Sequence, residues 1–221
     1  LRPWYSHMSG KYRYFYSNNS SQRRQYAAFN PRIGMIFNAV KHKDIQLFAN
    51  ISRSYEPPTF DELVGTEVTS NINTSPKKLF SIGLEKQTAT TFEVGSKGRL
   101  RQLSWNVAYY HSWVNHEILE VKDYVRGLKR TENYPHTLHQ GLEIGIQAAS
   151  KPHFFGRNIG TFTLGAVYDY SRFIFKGGKY DGKYLAGIPK HYVNASLDYR
   201  HSSGFNGSVA LELKPGKTPI D

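Results

Sequence analysis

The chain has 221 residues and no cysteine. That excludes a disulfide framework and any thiolate metal site, though it fixes no compartment. Only two methionines occur, Met8 and Met35, too few to support a methionine-lined copper site. Acidic residues are the minority, 17 against 29 Lys and Arg, so the formal net charge is +12. That balance favours anionic partners: nucleic acid, anionic lipid or a negatively charged small ligand. No apolar run approaches the roughly 18 to 20 residues of a membrane helix. The opening LRPWYSHMSG lacks a charged-then-apolar leader pattern. Helical periodicity is almost absent, and no G-x-S-x-G, P-loop or dinucleotide fingerprint occurs.

What is present is alternation at period two. In TFEVGSKGR, Phe92 and Val94 flank Glu93; in GLEIGIQ, Leu142, Ile144 and Ile146 alternate with Glu143 and Gln147. The same pattern places Ile33, Met35 and Phe37 on one face, and Ile45, Leu47, Ala49 and Ile51 on another. It recurs through Trp105, Val107, Tyr109 and Trp113, then Phe162, Leu164, Ala166, Tyr168 and Tyr170. Val193, Ala195, Leu197 and Tyr199, and finally Val209, Leu211 and Leu213, complete the series. This predicts roughly eight strands of about ten residues, the length a tilted membrane strand needs. Connections alternate between short or moderate (40–44, 96–103 and 200–205 short, 150–158 moderate) and long (54–87, 115–135, 172–189). Alternation alone fits a half-buried soluble sheet equally well. The short–long rhythm favours an all-β, antiparallel up-and-down transmembrane β-barrel. In that arrangement Leu142, Ile144 and Ile146 meet lipid while Glu93, Glu143 and Gln147 face the lumen. Tyr109, Trp113, Tyr168, Tyr170 and Tyr199 fall where girdle aromatics belong.

The residue patterns argue against local chemistry. His111 and His116, five apart on a regular strand, project to opposite faces. HEILE lacks the second histidine of a helical zinc site. His139 and Glu143 share a face but lie about 13 Å apart along a strand. Neither a metal site nor a catalytic residue is expected, and Pro57–Pro58 reads as a stop to ladder pairing. Two basic, aromatic sets stand out in the long connections: Tyr124, Arg126, Lys129, Arg130 and Tyr134, then Lys176, Lys179, Tyr180, Lys183 and Tyr184. They are the candidate ligand-binding residues, suited to an organic anion. RYFYSNNSSQRRQY would also suit a nucleic-acid surface. The remaining basic residues are scattered, however, and no RNA-recognition signature occurs, so no nucleic-acid partner is expected.

LFANISRSYEPPTFDEL (47–63), LEKQTATTFEVGSKGR (84–99), WNVAYYHSWVNHEILEV (105–121), NYPHTLHQGLEIGIQ (133–147) and LAGIPKHYVNASLDYRHSSGF (185–205) resemble, in order, successive barrel passages of TonB-dependent outer-membrane receptors. Asn133, Thr137, His139, Gly141, Glu143 and Gly145 match one passage directly; Lys86 stands where proline is common, and Pro135 where a small residue is. The resemblance implies the late part of a barrel of about 22 strands in a Gram-negative outer membrane. It implies energy-coupled uptake of an iron chelate or cobalamin, with iron carried as a ferric siderophore rather than held by side chains. The implied partners are the chelate, outer-membrane lipid and a TonB complex acting through a plug domain. No plug, TonB box or closing aromatic strand is visible. Residues 1–221 are therefore expected to be the C-terminal barrel portion, incomplete at both ends, with Glu93 and Glu143 as lumen-facing structural residues. A passive porin-like channel is the alternative.

Overall fold

A computed structural model of the chain describes residues 5–13, 21–40, 44–59, 61–67, 78–81, 83–123, 128–154 and 157–219. β1 (Tyr5–Arg13) and β2 (Ser21–Phe29) form a separate antiparallel pair. Then follow β3 (Arg32–Asn38), β4 (Asp44–Glu56), a 3-10 turn at Asp61–Leu63, β5 (Val64–Glu67) and β6 (Lys78–Ser81). β7 (Gln87–Leu100), β8 (Leu103–Asp123) and β9 (Leu128–Ala149) are long. β10 (His153–Phe154) and β11 (Arg157–Asn158) make a small hairpin. β12 (Thr161–Phe175), a 3-10 turn at Gly178–Tyr180, β13 (His191–Arg200) and β14 (Asn206–Leu213) complete the order. The main sheet runs β3-β4-β7-β8-β9-β12-β13-β14, with β5–β6 beside β9. The eight strands of this path keep chain order without crossover, the up-and-down topology that the alternating connections predict.

The chain forms two compact units. One comprises Ile33–Ile51, Thr91–Ser112 and Leu138–Asp221. Its two faces differ in chemistry row by row. Phe162 pairs with Tyr199, Leu164 with Leu197, Ala166 with Ala195 and Tyr168 with Val193. Leu197 continues to Val209, Ala195 to Leu211 and Val193 to Leu213. The opposite face carries Thr163–Asp198–Ser208, Gly165–Ser196–Ala210 and Val167–Asn194–Glu212. Leu164, Leu197 and Val209 remain 55%, 45% and 72% exposed. A soluble sheet buries such a face; here nothing among the described residues covers it. From Phe162 to Tyr170 the apolar run extends about 26 Å along the strand at ~3.3 Å per residue. At a strand tilt near 40° that run rises about 20 Å, most of the roughly 25 Å apolar band of a transmembrane β-barrel wall.

The other unit comprises Leu1–Arg32, Ser52–Thr90 and Trp113–Thr137. Its small core contains Pro58, Leu63, Leu84 and Val114. β4 ends at Glu56, before Pro57–Pro58, as two residues without an N–H require. Pro58 then packs inward, and the Glu62 carboxylate accepts the Thr59 N–H at 2.6 Å to fix the 3-10 turn. The described part of the 54–87 connection contains this turn and the β5–β6 pair.

Two sequence expectations need correction. The 115–135 stretch is not a long loop: β8 and β9 have 21 and 22 residues and leave only 124–127 between them. Polar residues on both faces erase the apolar alternation there, while backbone pairing continues regardless. Regular alternation also fails at His116, whose φ of 54° is a left-handed kink inside β8. The facing of His111 and His116 therefore does not follow from counting. His111 meets Gln140 at 2.9 Å, whereas His116 lies 3.1 Å from the Glu85 carboxylate.

Candidate functional site, a basic hairpin above a polar wall

The connection from β12 to β13 folds as a tight hairpin tip. Phe175 N–H donates to the Lys183 carbonyl and Leu185 N–H to that of Phe173, both at 2.9 Å. Gly177, Gly178 and Gly182 take φ values of 76°, 68° and 74°, which side-chain-bearing residues rarely adopt. The Asp181 carboxylate accepts the Gly177 N–H at 2.7 Å and ties the turn. On this frame the Lys179 and Lys183 ammonium groups stand 5.3 Å and 5.8 Å from the Tyr180 ring centroid. Phe175 backs the same ring at 5.5 Å. Lys176 is exposed beside them. Tyr184 belongs to a separate pair, with Lys190 at 3.6 Å from its ring. The tip can attract an anion and offer it a flat aromatic surface.

The first predicted set is described only in part. Tyr124 and Arg126 lie outside the described residues. Lys129 and Arg130 belong to β9 rather than a loop, with Lys129 paired to Thr66, and their side chains are outside the description. Tyr134 is also on β9, half-buried.

The polar face of the wall carries both predicted carboxylates. Asn50 donates to Glu93 at 2.9 Å. Glu143 lies within electrostatic reach of Asp169 and Glu93. Thr91 and Ser112 hydroxyls meet at 2.7 Å, and the Tyr110 hydroxyl bonds to Ser171. His139 stacks on Phe173 with centroids 4.1 Å apart. Sequence reading missed the interlock beneath these groups: a Cβ at Gly95 would collide with Phe48, and one at Gly141 with Tyr110. The repeated glycines among alternating residues were the available signal. On the apolar face, a Cβ at Gly98 would likewise strike Trp105.

The motif residues around the β8 kink bind one another. The Asn133 amide oxygen accepts the Glu85 N–H at 2.7 Å, while its NH2 donates to the carbonyls of Glu85 at 3.0 Å and His116 at 2.8 Å. Gln87 accepts the Ile118 N–H at 2.9 Å. Thr137 donates to the Glu117 carboxylate, both groups buried. Lys86, in the position where proline is common, donates to the Ala27 carbonyl. These contacts turn scattered motif letters into a single clamp.

Comparison with known proteins agrees with this arrangement. The family model described as "TonB dependent receptor-like, beta-barrel" matches residues 2–214. A solved copper transporter, OprC, superposes with TM-score 0.69 at 15% identity, over 92% of this chain and 29% of that one. The ferric-catecholate import receptor Fiu from E. coli K12 superposes with TM-score 0.56 at 17% identity, over 81% and 23%. The chain thus spans less than a third of either structure's length, and at these identities the likeness shows the fold. No curated protein gives a significant sequence match. Family members are outer-membrane transporters rather than enzymes. With its meandering wall, its two-faced rows and a model match over nearly its whole length, the chain belongs to the TonB-dependent receptor β-barrel family.

Proposed function

We propose that this chain is part of the wall of a receptor for energy-coupled uptake of a ferric siderophore. The apolar face meets membrane lipid and the Glu93–Glu143 face lines the lumen. The hairpin carrying Lys176, Lys179, Tyr180 and Lys183 belongs to the surface that first captures the chelate. One observation carries this reading: two ammonium groups flank one exposed aromatic ring at a loop tip. Such a tip favours an anionic organic chelate and repels a bare metal cation. A TonB complex supplies the energy in this reading, and iron arrives as part of the chelate, with no resident cofactor.

The test replaces Lys176, Lys179 and Lys183 with glutamine in the full receptor and titrates ferric chelates of several classes at low and high salt. Affinity should fall most at low salt, and its salt dependence should shrink, because exposed charges are screened beyond about 10 Å at 0.1 M. Unchanged affinity at both salts, with the hairpin intact, would remove the tip from the capture surface. Uptake should also stop when the proton-motive force is dissipated; continued uptake favours the passive-channel alternative.

A further inference from the structure

The apolar face of the wall carries a polar chain that the transport reading leaves unused. Arg172 on β12 donates through Nη1 to Gln140 Oε1 at 2.7 Å. Gln140 Nε2 donates onward to His111 Nδ1 at 2.9 Å and to the Tyr109 hydroxyl at 3.2 Å. Beside them the Tyr168 hydroxyl and His191 Nδ1 lie 2.9 Å apart. These residues are in phase with the exposed apolar rows: Arg172 follows Leu164, Tyr168 and Tyr170, Gln140 precedes Leu142 and Ile144, and His111 follows Trp105 and Tyr109.

Polar groups facing hydrocarbon must find partners or sit where hydrocarbon ends. Both conditions hold. Gln140 is used at each end of its amide, while a guanidinium has five N–H donors and only one bond from Arg172 goes to Gln140. Arg172 lies two residues beyond Tyr170, about 7 Å further along the strand and at the rim of the apolar band. Charge is partitioned by face. Glu93, Glu143, Asp169, Asp198 and Glu212 all fall on the polar face. The apolar-face positions of β8, β9, β12 and β13 that belong to this unit contain no carboxylate. Within this unit, one guanidinium and two imidazoles thus share the apolar face with no carboxylate on it.

We propose that Arg172, held by Gln140 and flanked by His111 and His191, binds the phosphate of an anionic membrane lipid at the edge of the hydrocarbon layer. Guanidinium geometry suits a phosphate, and the surrounding tyrosines suit the headgroup level. Basic pockets against transmembrane elements recognise phosphorylated headgroups by the same chemistry. The inference rests on the reading that the apolar face meets lipid.

The experiment uses the full receptor in nanodiscs of phosphatidylcholine with or without phosphatidylglycerol, released into detergent for native mass spectrometry. Wild type should retain phosphatidylglycerol. Arg172→Gln should retain it about five-fold less, as expected for losing one membrane-facing basic residue, and Arg172→Lys should recover part of the difference. Spin labels at Leu164→Cys and Thr163→Cys test the parent reading in the same discs. The first should be relaxed by oxygen in the lipid, the second by an aqueous nickel complex. If Leu164 is reached from water instead, the lipid-facing assignment fails and the lipid site with it. If Leu164 sits in lipid but Arg172→Gln retains phosphatidylglycerol as wild type does, the headgroup site alone is overturned.

Discussion

Asn133 shows how one side chain can act as a missing length of backbone. Its amide exchanges two hydrogen bonds with Glu85, as a strand neighbour would, and spends a third on the His116 carbonyl. That carbonyl needs an outside partner because the left-handed φ at His116 breaks the regular ladder of β8. Asn133→Ala should therefore destabilise the β7–β8–β9 region by about 1–3 kcal/mol, the cost of stranding polar groups rather than of losing contact area. Asn133→Asp, which keeps the acceptor but turns an anionic oxygen toward both carbonyls, should cost at least as much. The measurement is the temperature at which the full receptor loses its folded gel mobility; no shift for either variant would assign the kink to backbone pairing alone. The sequence carried Asn133 as a motif letter, but its use was not legible. Its partners are 17 and 48 residues away, and the kink that requires them arises at an ordinary histidine.

At the scale of the element, period-two reading worked where the two faces differ and failed where they do not. Along β12, β13 and β14 the rows through Leu164–Leu197–Val209 and Thr163–Asp198–Ser208 separate apolar from polar. Leu164→Arg should cost about 2–4 kcal/mol at mid-band and lower assembly, while Thr163→Arg, one residue away, should be far milder. Comparing the folded fraction of each variant in outer-membrane preparations decides the matter, and equal damage would contradict the facing. In β8 and β9 beyond Ser112 and before Leu138, polar pairs such as Asn115–His136 at 2.8 Å hold strands with no apolar stripe. Composition there reads as loop, so half of each strand and the true setting of Lys129, Arg130 and Tyr134 were hidden. The β12–β13 tip was legible because its glycines mark a turn whose lysines and tyrosine lie within eight residues, 176 to 183.

For the whole molecule, the path of eight strands ends at β3 and β14, whose outer edges have no ladder partner among the described residues. In lipid each unpaired backbone group costs several kcal/mol, and in water such edges invite association. Refolding residues 1–221 alone in detergent should thus yield aggregate or a poorly protected sheet. A monodisperse, protease-resistant monomer would mean that these edges close on each other. The eight strands of the main path, their order and the family were legible at this scale because all depend on rhythm and on motif order, whereas β1, β2, β5, β6, β10 and β11 lie outside that rhythm and were missed. The Arg172–Gln140–His111 chain on the apolar face was not: it appears only when three strands are placed in register.

The Tyr110–Gly141 interlock has a consequence for how such a wall changes over generations. The ring of Tyr110 occupies the space a side chain at position 141 would need. Enlarging Gly141 alone produces a clash, and shrinking Tyr110 alone exposes a bare backbone stretch inside the sheet. Either single step is penalised, while a matched exchange of large for small is not. Positions 110 and 141 should therefore drift as a coupled pair, whereas Gly95 and Gly98 should stay fixed whatever stands at 48 or 105, because a side chain there would also strike the Val107 or Asp44 carbonyl. The pleat of the wall would then be recorded as correlated substitutions between neighbouring strands, readable from descendants of this sequence without any structure at all.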